Sequence, residues 1–532
     1  MNLKKFLKVS ILFFLLSTLL FTGCIGGCIS YGTLDGYVYV KTGDARIQVR
    51  GLLEDIESNT YKALSGATVL IGNKTATTDS NGYFKITQIP TGTYSVSISA
   101  DGYETLTITG VTISSGQTTH LQKNVNLARR KWNFLVYLDG DNDLETYAIK
   151  DINEMEQIGS NQDVNIIVLV DRISGDSEWD DTSNGDWTST RLYYITRDSN
   201  TSTISSTLLT DLGERDMSDP NTLRDFVIYC QDNFPAEKTC LTLWNHGGGV
   251  YPRSYPKDKR SSVSYQSSIK GGARGLCCDY TTGTSAWDCL TTDEVATALS
   301  QARAQTGKKI DVINMDVCLT QMIEVAYEWR NEANFLVGSE ETVPGYGNDY
   351  ATVLQHLTGT PSMSAQDFAK ILVDDYQSYY DDYNLNTTYS CVDLGTPFTT
   401  LMNSFESFAE ALYNTNDLAS VDDAWWDYTT YFDYEENLDL YDFANDLINL
   451  SSDDAVKSAA NSLKTAISDA VYYKNTGIYV DSLPAYGLAA MLPSPSQWSS
   501  YDDPNQYVTL ALSQDTLWDE FILRFVEYES AG

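Results

Sequence analysis

The hydrophobic pattern of the chain changes character near residue 130. Before that point, apolar and polar residues alternate in short runs: Tyr37 to Val40, Thr68 to Ile71, Tyr83 to Ile86, Tyr94 to Ser99 and Leu106 to Ile108. A period of two marks half-buried strands, and turn clusters such as Asp79-Ser80-Asn81-Gly82 and Pro90-Thr91-Gly92 separate them. The spacing predicts a small all-β sandwich over residues 31–130. From Trp132 the strands become unbroken apolar runs that alternate with helical faces. Phe134 to Leu138 and Val164 to Val170 read as strands, and Leu144, Tyr147, Ala148, Ile152 and Met155 form one helical face between them. Helices over Thr222 to Phe234 and Thr292 to Thr306, and a strand over Phe335 to Gly338, continue the alternation. The prediction is an α/β fold, a mostly parallel sheet flanked by helices, over residues 131–532. Its core spans about 131–380. The Tyr- and Asp-rich part from about 381, with the strand-like Tyr486 to Leu492, completes it.

Two of the apolar runs stop at a reactive side chain. Cys240 to Asn245 leads into His246, and Ile310 to Val317 leads into Cys318. Open α/β sheets place their sites at the carboxyl ends of strands, so the two side chains are candidates to meet in one crevice. A thiol with an imidazole is the minimal set for a nucleophile and its proton carrier. With three histidines in the chain, His120, His246 and His356, the choice of base is narrow. Gly247, Gly248 and Gly249 let the backbone after His246 approach a substrate closely. The amides of Gly247 and Cys318 are the candidate oxyanion donors. Leu319, Met322, Ile323, Ala326 and Tyr327 predict a helix starting at the cysteine, whose dipole would favour thiolate. Asp316, two residues before Cys318, is placed on the same side by strand alternation, the alternative being a helix N-cap.

Charge narrows the partners. Lys+Arg 35 against Asp+Glu 72 gives a net charge of −37, which repels nucleic acid and anionic lipid. Residues 1–23 read as an export signal: Lys4, Lys5 and Lys8 precede an apolar stretch from Val9 to Phe21 that is too short to span a membrane. Phe21-Thr22-Gly23-Cys24 resembles a lipobox, which implies lipidation of Cys24, a short linker over 24–30 and a protein tethered outside the cytoplasmic membrane. Beyond that junction seven cysteines remain, an odd number, with no convincing zinc spacing. Asp139, Asp141 and Asp143 begin like a calcium loop, but Leu144 and Lys150 occupy the positions where an EF-hand needs Gly and Glu. Capping of the following helix is the simpler expectation.

The motifs from about Lys131 to the end resemble the clostripain family of cysteine peptidases, relatives of the caspases and gingipains. Trp132-Asn-Phe-Leu-Val-Tyr-Leu-Asp-Gly-Asp-Asn-Asp-Leu-Glu145 is similar to that family's first strand and loop. Asn245-His246-Gly247 resembles its histidine motif, Asp316-Val317-Cys318-Leu319 its nucleophile motif, and Ser339 to Tyr350 the segment after the next strand. Val317, Thr320, Gln321 and Asn348 depart from the usual pattern. The resemblance implies a Cys318–His246 endopeptidase acting on peptides or proteins, with Asp316 and, as a second wall, Asp349 recognising Arg or Lys. It also implies self-cleavage in the basic stretch between Val250 and Gly275, at Lys259, Arg260 or Arg274. The chemistry needs no cofactor, while clostripain's own calcium dependence makes calcium a candidate ligand. Gly66-Ala-Thr-Val69, Thr78 to Phe84 and Ile89 to Tyr94 resemble a carboxypeptidase regulatory-like domain, a binding or spacer module without chemistry. Two other readings compete: a catalytically silent surface binding protein, and a thiol amidase or transpeptidase acting on surface proteins.

Overall fold

The computed structural model describes residues 30–41, 47–50, 61–101, 103, 105–121, 130–173, 179–250, 275–280, 288–475, 484–500 and 507–531. Cys24 and the export segment, and Lys259, Arg260 and Arg274, lie outside the described residues. The chain divides into two compact units, residues 1–99 with 106–126, and residues 100–105 with 127–532.

The first unit is all-β. In one sheet Tyr31–Lys41 pairs antiparallel with Tyr83–Pro90 and parallel with Thr118–His120. In the other, Thr68–Ile71, Lys74–Thr77, Gly92–Ser99 and Leu106–Ile113 run as an antiparallel set. The predicted alternation is realised: Leu34, Val38, Val69, Ile71, Phe84, Val96, Ile98 and Ile108 are buried while their neighbours face outward.

The second unit is built on a sheet of nine described strands. Its central five, Val164–Arg172, Arg130–Gly140, Ala236–Trp244, Ile310–Asp316 and Ala333–Gly338, are parallel neighbours in that order. Arg191–Tyr194 and Thr207–Asp211 extend one edge, Thr388–Asp393 and Val471–Asn475 the other, all antiparallel. Strands buried on both faces need apolar residues at every position, which is why the runs looked continuous. Alternate residues feed two separate cores. Leu135, Tyr137, Leu241, Leu243, Ile313 and Met315 face the helices Pro220–Asn233 and Thr292–Thr306. Phe134, Val136, Cys240, Trp244 and Val312 face Glu145–Ile158 and Ala365–Tyr383. Burying one such aliphatic side chain is worth about 1.5–3 kcal/mol, so the register is strongly fixed. The strand-like Tyr486 to Leu492 contributes only Ala489–Met491, which pairs with Asn437–Asp439 in a small separate sheet.

Candidate active site

Register brings the two reactive residues together. Ala236–Trp244 and Ile310–Asp316 run parallel, with Trp244 beside Asp316, so the segments that carry His246 and Cys318 leave adjacent strand ends and meet where Gly247 lies against the Cys318 backbone. The approach is tight. A Cβ on Gly247 would fall 2.4 Å from the Cys318 carbonyl oxygen and 2.9 Å from its amide nitrogen, so only glycine fits there. Among the described residues the Gly247 and Cys318 amides donate no hydrogen bond.

The surroundings of the thiol differ from expectation. No helix begins at Cys318: the helix is Ile323–Trp329, and the chain first turns through Leu319 at φ 60°. The macrodipole therefore does not act on the sulfur, because its influence fades within a turn. Leu319 holds the turn by donating to the Glu341 carbonyl at 3.1 Å. The sulfur accepts from the Val343 amide at 3.3 Å and lies 3.8 Å from the Val343 carbonyl. Burial pushes the Cys318 thiol up to about 12, with Glu341, Asp316 and Asp433 adding to it against the Val343 hydrogen bond. These surroundings favour the thiol over the thiolate, although the cysteine itself is only partly buried.

Asp316 is not a helix cap. Its carboxylate accepts from the Asn348 amide at 3.1 Å and the Tyr350 hydroxyl at 2.8 Å. Gly347, at φ 58°, closes over it so tightly that a Cβ would sit 2.7 Å from a carboxylate oxygen. Burial raises the Asp316 carboxyl, and the hydrogen bonds from Asn348 and Tyr350 oppose the shift. Asp349 is engaged differently: its carboxylate caps Tyr350–Gly359 by accepting from the Thr352 amide and hydroxyl.

Comparison with known proteins supplies the family. The model of the Clostripain family matches residues 136–525. The chain belongs to the clostripain family. The carboxypeptidase regulatory-like domain model matches residues 48–128. Clostripain of Hathewaya histolytica is 29% identical over 251 residues, covering 45% of this chain and 44% of that relative, so the chain spans less than half of the relative's length. Among solved structures, a secreted C11 cysteine protease from Bacteroides thetaiotaomicron in complex with an irreversible peptide inhibitor shares 17% identity. Its TM-score is 0.52, over 74% of this chain and 99% of that one. An inactive zymogen C11 protease from Parabacteroides distasonis gives 17% identity and a TM-score of 0.51, over 73% and 98%. Both likenesses support the fold. Among the described residues no helix is long and apolar enough to cross a membrane.

In this clostripain-family chain, sequence reasoning missed what surrounds the histidine. His246 Nε2 lies 2.7 Å from Asp143 Oδ1, and the Tyr280 hydroxyl donates to the same oxygen at 3.2 Å. The Tyr280 ring runs parallel to the imidazole, 5° between planes at 6.5 Å. Asn245 donates to the carboxylate and carbonyl of Asp139 at 2.6 and 2.9 Å. Capping does not explain these aspartates, since Glu145–Ile158 has no side-chain cap and Asn142 receives the Leu144 amide. The segment after His246 returns as Leu276–Asp279, paired with Asp288–Leu290 and closed by a Cys278–Cys289 disulfide.

Behind the histidine, carboxylate oxygens of Asp141, Asp171 and Asp279 lie within 4.8 Å of one another, all buried. Burial raises the Asp171 carboxyl well above its usual range, and Glu214, Asp279 and Asp141 add to the effect. One Asp171 oxygen is buried without a hydrogen bond. An all-oxygen, anionic set of this kind suits a hard cation such as calcium. The residues fit the ion that the family resemblance implies.

Proposed function

We propose that this chain is an exported cysteine endopeptidase that cleaves peptide or protein substrates after Arg or Lys through a Cys318–His246 dyad. One observation carries the reading: the two segments leave adjacent parallel strands, and Gly247 closes onto the Cys318 backbone. Because the surroundings of Cys318 favour the thiol, attack is coupled to proton loss. The sulfur bonds to the scissile carbonyl carbon as its proton passes to His246. The amides of Gly247 and Cys318 receive the developing oxyanion. Collapse breaks the C–N bond, His246 returns the proton to the leaving amine, and water hydrolyses the thioester. Asp316 supplies the buried negative charge that selects a basic side chain, and Asp349, already a helix cap, stands at the margin of that segment. Export and lipidation at Cys24, and self-cleavage at Lys259, Arg260 or Arg274, rest on the sequence motifs alone. A calcium ion held by Asp141, Asp171 and Asp279 would supply positive charge to a buried anionic cluster and would take no part in bond making.

One observation favours a silent binding protein instead: the Cys318 sulfur is engaged by the Val343 amide in surroundings that favour the thiol. Hydrolysis of a peptide panel differing only at the residue before the cut, with Cys318→Ala as control, decides between them. We expect cleavage after Arg and Lys that disappears in the variant. No cleavage of any panel member by the full chain, with calcium supplied, would sink the peptidase reading.

A further inference from the structure

We infer that Asp143 is a positioning residue for His246, holding the imidazole as the Nε2–H tautomer so that Nδ1 is the nitrogen that takes and returns the proton. A carboxylate can only accept, so at 2.7 Å the proton between them sits on Nε2, and in the neutral imidazole Nδ1 is then the nitrogen with a free lone pair. The contact is half-buried, with 26% of the His246 side chain and 30% of the Asp143 side chain exposed, which screens it less than a surface pair.

Asp143 is fixed from several sides. Asn142 donates to the Asp139 carbonyl and accepts from Leu144, pinning the turn that carries it. Glu145, two residues on, forms a fully buried ion pair with Arg172 at 2.7 Å. The Tyr280 hydroxyl gives the carboxylate oxygen a second donor, and its ring lies parallel to the imidazole. The usual structural explanation for an aspartate just before a helix is absent, because this helix takes no side-chain cap.

The inference rests on His246 being the proton carrier proposed above, so its test has one arm that does not depend on turnover. In protein labelled with 15N-histidine, wild type should show His246 protonated on Nε2. Asp143→Asn can donate as well as accept, and should shift His246 towards the Nδ1–H form. In steady-state kinetics, Asp143→Asn should lower kcat about 100-fold while KM stays within about threefold, as expected when a base is held in the wrong tautomer. Tyr280→Phe, which removes one of the two donors to Asp143, should cost less, about two- to fivefold in kcat. An unchanged tautomer in Asp143→Asn, or kcat within twofold of wild type, would overturn the inference. If wild type has no activity that Cys318→Ala removes, the peptidase reading fails, and the tautomer alone then judges the Asp143–His246 pairing.

Discussion

The two neighbouring strand ends differ in the acid that stands closest to each candidate reactive side chain. At the histidine end, burial would raise the Asp143 carboxyl, yet the hydrogen bond and charge of His246, with the Tyr280 hydroxyl, bring it below its ordinary value. At the cysteine end burial dominates: Cys318 is pushed up to about 12, Asp316 is raised, and Asp439, hydrogen-bonded to Glu340, is pushed up to about 7. A thiol in such surroundings is held back from ionising. In the proposed mechanism the histidine end therefore has to supply the activation. The helix dipole, which the sequence pattern suggested, has no part in it.

The comparison breaks first if the two ends are pushed apart. Gly247→Ala puts a methyl 2.4 Å from the Cys318 carbonyl oxygen and 2.9 Å from the Val317 Cβ, both on a well-packed turn. The strand ends must separate, and overpacking of this kind costs about 1–3 kcal/mol. We expect kcat/KM to fall by more than about 100-fold, since a small misplacement of reacting groups is costly, together with a lower Tm. Activity near wild type would mean that the two ends need not stay in register to work.

Asp316→Asn sharpens the proton-holding half. Asparagine keeps an oxygen for the Tyr350 hydroxyl and the Asn348 amide but removes the charge. Cleavage after Arg or Lys should fall about 100-fold in kcat/KM, the range for losing one partner of a desolvated charge pair. Stability should move the other way. Because the folded Asp316 carboxyl is raised, its contribution to stability is full below the unfolded value of about 4 and is lost as pH rises through the folded value. The variant has no such loss, so the difference in Tm between variant and wild type should grow in the variant's favour from acid to neutral pH. An undiminished preference for basic residues would remove Asp316 from the pocket.

Much of this was legible in the sequence, for identifiable reasons. Continuous apolar runs gave the parallel strands because a two-faced sheet demands them. The helix boundary was misread because Leu319, Met322 and Ile323 keep helical spacing while Leu319 sits at positive φ, a conformation that a leucine does not announce. Asp143 was missed because its partner lies 103 residues away, across a sheet whose strand order cannot be read from local pattern. Its neighbours Asp139 and Asp141 made a capping explanation look sufficient. The Cys278–Cys289 bridge was hidden for the same reason: pairing is set by the hairpin Leu276–Asp279 with Asp288–Leu290, and spacing alone does not show it.

The smallest expected effect tests why the histidine end tolerates so many carboxylates. Asp141, Asp171 and Asp279 are buried within reach of a single ion, and Asp139 beside them anchors Asn245, the residue before His246. If a cation compensates this cluster, it acts on stability first and on the histidine only through that anchor. Adding calcium to chelator-treated protein should raise Tm by roughly 3–5 °C at a hundredfold excess over Kd, as binding to the folded state alone requires. Asp171→Asn removes one charge from a mutually repelling group. It should therefore raise the Tm of the chelated protein slightly while abolishing the calcium response. A calcium shift that survives the substitution would place the ion elsewhere. A variant less stable than the chelated wild type would mean that these carboxylates are already compensated by protons and hydrogen bonds, and that both strand ends manage their charge in the same way.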